Sequence, residues 1–197
     1  MYIMTNLARD RLIQSTQELL WQRGYTATSP AAIMKQAAVG QGSMYHHFSG
    51  KTELAAEAFR LSAEATYRKA KLLLDNGTPA LDRVISYLLR QRDVLRGCPV
   101  GRMAEDAEVL TTPELFEILQ STFNRLRALI SEVLSEGVST AELPTSLAPA
   151  ELADTVLAIV QGGYVLARAE NDPAPFERAV NGAVALLRAA ADGQARS

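Results

Sequence analysis

The stretch Gln41-Gly42-Ser43-Met44-Tyr45-His46-His47 gathers hydrogen-bonding side chains without a single acid among them. Amide, hydroxyl, phenol and imidazole groups can pair with base edges and phosphate oxygens, and no carboxylate is present to repel a phosphate. Gly42 keeps the start of the stretch thin, so a backbone there can come close to a duplex. Ser29-Pro30 before it and Lys51 after it both stand where a helix can begin and offer free N–H groups to an anion. Other reactive candidates are sparse. His46 and His47 are neighbours, so on a helix they point ~100° apart and cannot readily close on one metal ion. Cys98 is the sole cysteine. A thiol before Pro99 at a helix start is partly activated by the dipole, but no histidine lies near it in sequence, and packing is the reading adopted. No nucleophile–base–acid constellation is present, so an enzyme is not expected, and neither is a metal or cofactor.

A polar reading segment needs rigid support, and the periodicity supplies helices nearly throughout, with no sustained alternation for a strand. The first helix is expected from about 5 to 23, with Leu12, Ile13, Thr16, Leu19 and Leu20 on one face and Gly24 as its C-terminal cap. Ser29 as cap and Pro30 at the first position start a short helix, 30–38, that turns Ile33, Met34 and Ala37 inward. A break at Val39-Gly40-Gln41 leads to a second short helix, 42–47, ended by Phe48. Val39, Met44 and Phe48 are the inward triad that such a pair of short helices requires. Further helices are expected at about 51–75, 79–96, 100–109, 113–137, 148–169 and 173–191, divided by proline-, glycine- and asparagine-bearing breaks. The fold class is all-α, with a DNA-binding head over 1–51 and a helical body over 52–197.

Composition bounds the rest. The net charge of −2 does not announce nucleic acid, so the claim rests on local arrangement. Residues 1–60 carry +2 and the remainder −4, a basic end on an acidic body. One cysteine excludes an internal disulfide and points to a reducing compartment. The first residues lack the apolar run of a signal peptide, and no run approaches the ~18–20 uninterrupted apolar residues of a membrane span. A cytoplasmic protein without membrane contact is expected.

The segment from Arg23 to Leu54 resembles the N-terminal signature of the TetR family of repressors. Its elements stand here as Arg23-Gly24-Tyr25, Thr28-Ser29, Ala37-Ala38-Val39, Gly42-Ser43-Met44-Tyr45-His46-His47-Phe48 and Lys51. The resemblance implies nine helices, a symmetric dimer, a near-palindromic double-stranded DNA operator and release by a small-molecule effector. Carried over residue by residue, Tyr45 and Lys51 match phosphate contacts, and Ser29 matches a phosphate-facing helix cap. Gln41, Ser43 and His46 stand where base edges or nearby backbone are met, with Gly42 and His47 on the same short helix. Three departures lower nonspecific, salt-dependent affinity: Gly40-Gln41 in place of the commoner Ser-Lys, Gly50 in place of a serine cap, and an N-terminal arm poor in basic residues. Arg96-Gly97-Cys98-Pro99-Val100-Gly101 is similar to a segment of the LmrA-like and YxaF-like subgroup.

In the body, Tyr67, Tyr87, Met103, Phe116, Phe123 and Tyr164 could line an effector cavity, with Arg102 and Gln161 as polar fixtures. At helical spacing such aromatics also serve as plain core. Two apolar stripes, with Val156, Ile159, Val160 and Gly163 on one helix and Phe176, Val180, Ala183, Val184 and Leu187 on the next, are expected to form an isologous four-helix dimer interface. A helical module that captures partner helices through those stripes is the alternative, and activation rather than repression stays open.

Overall fold

The computed structural model describes residues 2–194, with side chains from Leu7 to Gly193. Nine α-helices and no strand occur among the described residues: α1 (Tyr2–Arg23), α2 (Pro30–Ala37), α3 (Gln41–His47), α4 (Lys51–Leu74), α5 (Ala80–Leu89), α6 (Ala107–Thr111), α7 (Pro113–Ser139), α8 (Pro149–Glu170) and α9 (Ala174–Gln194), with a 3₁₀ turn at Gly101–Glu105. They form two compact units. The first holds the chain up to Thr66 together with Pro99–Thr122; the second holds Tyr67–Cys98 and everything from Phe123. Helices α4 and α7 each begin in the first unit and end in the second.

In the first unit, α1 buries Leu12, Ile13, Leu19 and Leu20, and Thr16 satisfies its buried hydroxyl by donating to the Leu12 carbonyl at 2.7 Å. Gly24 closes α1 at φ +82°, its N–H donating to the Leu20 carbonyl. Ile33, Met44, Phe48, Leu54 and Phe59 complete this core, each no more than 2% exposed. Side chains of this size contribute about 1.5–3 kcal/mol each when fully buried, and that burial orients the short helices.

The second unit packs α5, α8, α9 and the later turns of α4 and α7 around Leu74, Val84, Leu88, Ile130, Leu134, Val156, Val160 and Val184. Buried Arg83 donates to the Leu74 carbonyl at the end of α4 and pairs with Glu136 at 2.6 Å. Asn171 at φ +53° ends α8, and α9 starts three residues later. The two helices approach so closely that a Cβ on Gly163 would lie 2.8 Å from the Phe176 ring. Alone among the described residues, α8 is long and apolar enough to cross a membrane, but its Ala153, Val156, Leu157, Val160 and Ala167 are built into this core.

Two expected helices end differently. The one expected over 79–96 stops at Leu89, where Arg90 turns to ψ +146°. Arg92 folds back and donates to the carbonyls of Tyr87, Leu88 and Arg90 at 2.5–2.8 Å, satisfying acceptors that a longer helix would have used itself. The one expected over 100–109 divides into the 3₁₀ turn and α6. Asp106 is extended there and caps α6 by accepting the Glu108 N–H.

Candidate nucleic-acid interface

Helices α2 and α3 form a helix-turn-helix. The Ser29 hydroxyl accepts from the Ala32 N–H at 3.2 Å, with Pro30 following at the first helical position. The turn after α2 is made by Ala38, at φ +51°, ψ +48°, and not by the neighbouring glycine; Gly40 is extended at φ −75° and caps α3. An L-residue in the left-handed region costs roughly 1–2 kcal/mol. Ala38→Gly is therefore expected to stabilise the head by about 1 kcal/mol, seen as a higher melting temperature at unchanged DNA affinity.

Helix α3 divides cleanly. Met44 and the following Phe48 are buried, at 0% and 2% exposed, whereas Gln41, Gly42, Tyr45 and His46 face outward and Ser43 and His47 are half-buried. Tyr45 is 50% exposed, so its ring and hydroxyl are open to a partner. No Cβ-filling neighbour lies within 4 Å of Gly42, so the helix start is open on that side. The His46 and His47 rings meet edge to face at 5.0 Å, and no group of three metal-ligating side chains lies together among the described residues. At the start of α4, Glu53 reaches back to the Ser49 N–H and hydroxyl at 2.6 and 2.7 Å. Those two bonds hold its carboxyl below the usual glutamate range and tie Ser49 to the first turn of α4.

Lys51 is less free than its position suggests. Its ammonium lies 3.8 Å from the centre of the Tyr25 ring and 3.9 Å from Glu108, with the side chain 21% exposed. Tyr25 is itself buried, and its hydroxyl meets Thr52 at 2.9 Å. The turn after α1 is then clasped from the far side by Asp106. One carboxylate oxygen accepts the N–H groups of Tyr25 and Thr26 at 2.7 and 2.8 Å, and the other accepts the Thr26 hydroxyl at 2.6 Å. Partial burial pushes the Asp106 carboxyl up, but these bonds and that from Glu108 together hold it below the ordinary aspartate range. A side chain on Gly24 would meet the same carboxylate at 2.8 Å, so glycine is required there twice over. Tyr25, Asp106 and Glu108 were not among the expected site residues. Eighty residues separate the partners, and only the Asp-Ala-Glu start of α6 hints at a cap.

The residues expected around an effector fall in both units. Arg102, Met103 and Phe116 belong to the first; Met103 is buried and Phe116 lies 39% exposed on its surface. Tyr67, Tyr87, Phe123, Gln161 and Tyr164 belong to the second. There the Tyr67 ring carries the Arg125 guanidinium at 3.8 Å, and Tyr164 packs on Phe176 with centroids 4.9 Å apart. Burial pushes the Tyr164 phenol up to about 12 and raises that of Tyr87. Cys98 is half-buried against the core of the second unit.

Most of the expected stripe residues pack inside the protomer. Val156, Val160, Gly163, Phe176, Val180, Ala183, Val184 and Leu187 are buried within the protomer and serve its own core first; of that set, Ile159 keeps partial exposure. A pattern of small apolar residues reads alike for both roles. The apolar surface that α8 and α9 leave open is a shallow groove of about 180 Å³ with Leu147, Leu152, Thr155, Ile159, Leu186 and Ala190 around it, Leu186 being 73% exposed.

Comparison with known proteins agrees with this geometry at both ends of the chain. Residues 12–58 match the family of bacterial regulatory proteins of the tetR type, and residues 77–183 match the tetracyclin repressor-like C-terminal domain. The uncharacterised HTH-type transcriptional regulator YxaF of Bacillus subtilis is 22% identical over 176 residues, covering 86% of this chain and 89% of that protein. The HTH-type transcriptional repressor NemR of Escherichia coli K12 is 25% identical over 183 residues, covering 87% and 89%. The crystal structure of a TetR-family regulator from Agrobacterium tumefaciens shares the fold, with a TM-score of 0.83 at 20% identity over 93% of this chain and 98% of that one. With a helix-turn-helix of this form and more than half its length matched by the C-terminal domain, the chain belongs to the TetR family of bacterial transcriptional regulators.

Proposed function

We propose that the protein is a homodimeric cytoplasmic repressor that sets its two α3 helices in successive major grooves of a near-palindromic operator and releases it when a small molecule binds the body. The observation that carries this reading is the split of α3, with Met44 and Phe48 inward and Gln41, Tyr45 and His46 outward. A face of hydrogen-bonding groups held by a fixed core is what base-edge reading needs. Exposed Lys35 on the last turn of α2 adds positive charge beside it. Related repressors such as NemR support repression as the direction of control. The open groove beside Ile159 and Leu186 is the surface we assign to the second protomer.

Helix α4 is the route for release, because one continuous helix carries Lys51 in the first unit and Tyr67 in the second. An effector that displaces its later turns alters the spacing of the two heads. A mismatch with half-site spacing then lowers affinity, and a few kcal/mol of differential binding suffices. On fragments retained by the wild-type protein, Tyr45→Phe and Lys51→Ala are expected to weaken binding, Lys51→Ala uniformly across sequences and with a salt slope smaller by about one. Unchanged affinity and slope in both variants would remove these contacts from the reading. Fluorescence anisotropy over a salt series makes the measurement.

A further inference from the structure

The bend after α5 holds two guanidinium groups that the fold does not neutralise. Arg90 Nε and Nη1 and Arg92 Nε are buried and have no hydrogen-bond partner. Arg92 uses its remaining nitrogens to cap α5 and lies over the Tyr87 and Phe176 rings, 5.4 and 5.5 Å from their centres. Arg90 lies 5.1 Å from the centre of Tyr87. Neither takes part in any of the ion pairs among the described residues. Burying a cation without a carboxylate is costly, and two close together repel each other as well. Burial, and after it the charge of Arg90, lower the Arg92 guanidinium from its usual range.

Arg90 and Arg92 are among the residues that line a cavity of about 240 Å³ between the bend and the first turns of α9. Leu88, Val94, Phe176 and Val180 supply apolar wall, Asn181 a further amide, and Glu177 stands at the lining without pairing to either arginine. The space lies below the roughly 300 Å³ at which drug-sized pockets begin. We propose that this cavity is a binding site for a small amphipathic carboxylate, its charge held by Arg90 and Arg92 and its short apolar body against Phe176 and Val180. A guanidinium fork matches a carboxylate bidentately, which favours an organic anion over a neutral molecule of the same shape. The site lies wholly within the second unit and is independent of operator reading.

The test titrates the full-length protein, without DNA, against hexanoate, hexanol and inorganic phosphate by isothermal calorimetry. Hexanoate is expected to bind saturably, and hexanol and phosphate at least about tenfold more weakly, since each lacks one half of the recognition. Arg90→Gln should weaken hexanoate by tenfold or more without lowering the melting temperature, because the Arg90 side chain caps no helix and only its carbonyl, which the substitution keeps, accepts from Arg92. Arg92→Lys, which loses the fork, should weaken it as well. Hexanol binding as tightly as hexanoate, phosphate binding as tightly as hexanoate, or wild-type hexanoate affinity in Arg90→Gln would each overturn the assignment.

Discussion

Asp106→Ala is expected to destabilise the first unit by about 2–4 kcal/mol, a large effect for a half-buried residue outside the helix-turn-helix. The carboxylate accepts from the Tyr25 and Thr26 N–H groups, the Thr26 hydroxyl and the Glu108 N–H. Removing it leaves four donors without their acceptor and takes the cap from α6. Hydrogen bonds to a charged acceptor contribute about 1.5–3 kcal/mol each when desolvated, and water can replace those at exposed Thr26, so the sum stays well below four times that. Urea unfolding followed through Trp21, the lone tryptophan and a residue of α1, reports on this unit. A midpoint within experimental error of wild type would show that the clasp contributes nothing. The same carboxylate predicts a pH dependence. Its folded pKa lies below the ordinary aspartate value of 3.8, so its stabilisation is fully present above that pH. It is lost as the pH falls through the lower folded value. Asp106→Ala should lack that part of the acid transition.

Phe48→Ala should cost more, about 3–5 kcal/mol, because the ring is 2% exposed and its removal leaves a cavity at the junction of α3 and α4. Arg9 also loses the aromatic face it covers, 5.5 Å from the ring centre. Operator binding would fail together with folding. Gln41→Ala, at an exposed position of the same helix, should leave the stability within about 0.5 kcal/mol of wild type while weakening specific DNA binding by about 1–3 kcal/mol. The crossed pattern separates side chains that hold α3 from those that read with it. Equal losses of stability in the two variants would contradict that division.

How far the residues announced this arrangement depends on the range over which each signal acts. Gly24 after α1 and Ser29-Pro30 before α2 are local stop and start signals, and both elements fall where those signals put them. The inward Val39, Met44 and Phe48 follow from helical spacing and are all buried. The end of α5 was not legible, because Arg92 terminates it by folding back onto three carbonyls, which no local propensity encodes. Placement of the turn at Ala38 instead of Gly40 runs against intrinsic preference and reflects tertiary packing of Ile33, Val39 and Met44. The clasp of Asp106 on Tyr25 joins positions too distant for any periodicity to connect. The α8 and α9 stripes were visible as apolar faces, but a periodic face does not say whether a protomer's own core or a second copy covers it. Burial of Val156, Val160 and Val184 assigns that part to the core.

Sequence-specific operator recognition is tested most directly by selecting genomic fragments with the full-length protein and footprinting those retained. The expected result is a small set of fragments sharing an inverted repeat, with protected half-sites about one helical turn, 10–10.5 bp, or a multiple of it apart. Affinity for these should exceed that for random duplex by roughly a thousandfold or more at physiological salt. Fragments with no shared sequence, bound no more tightly than random DNA, would contradict a reading role for α3.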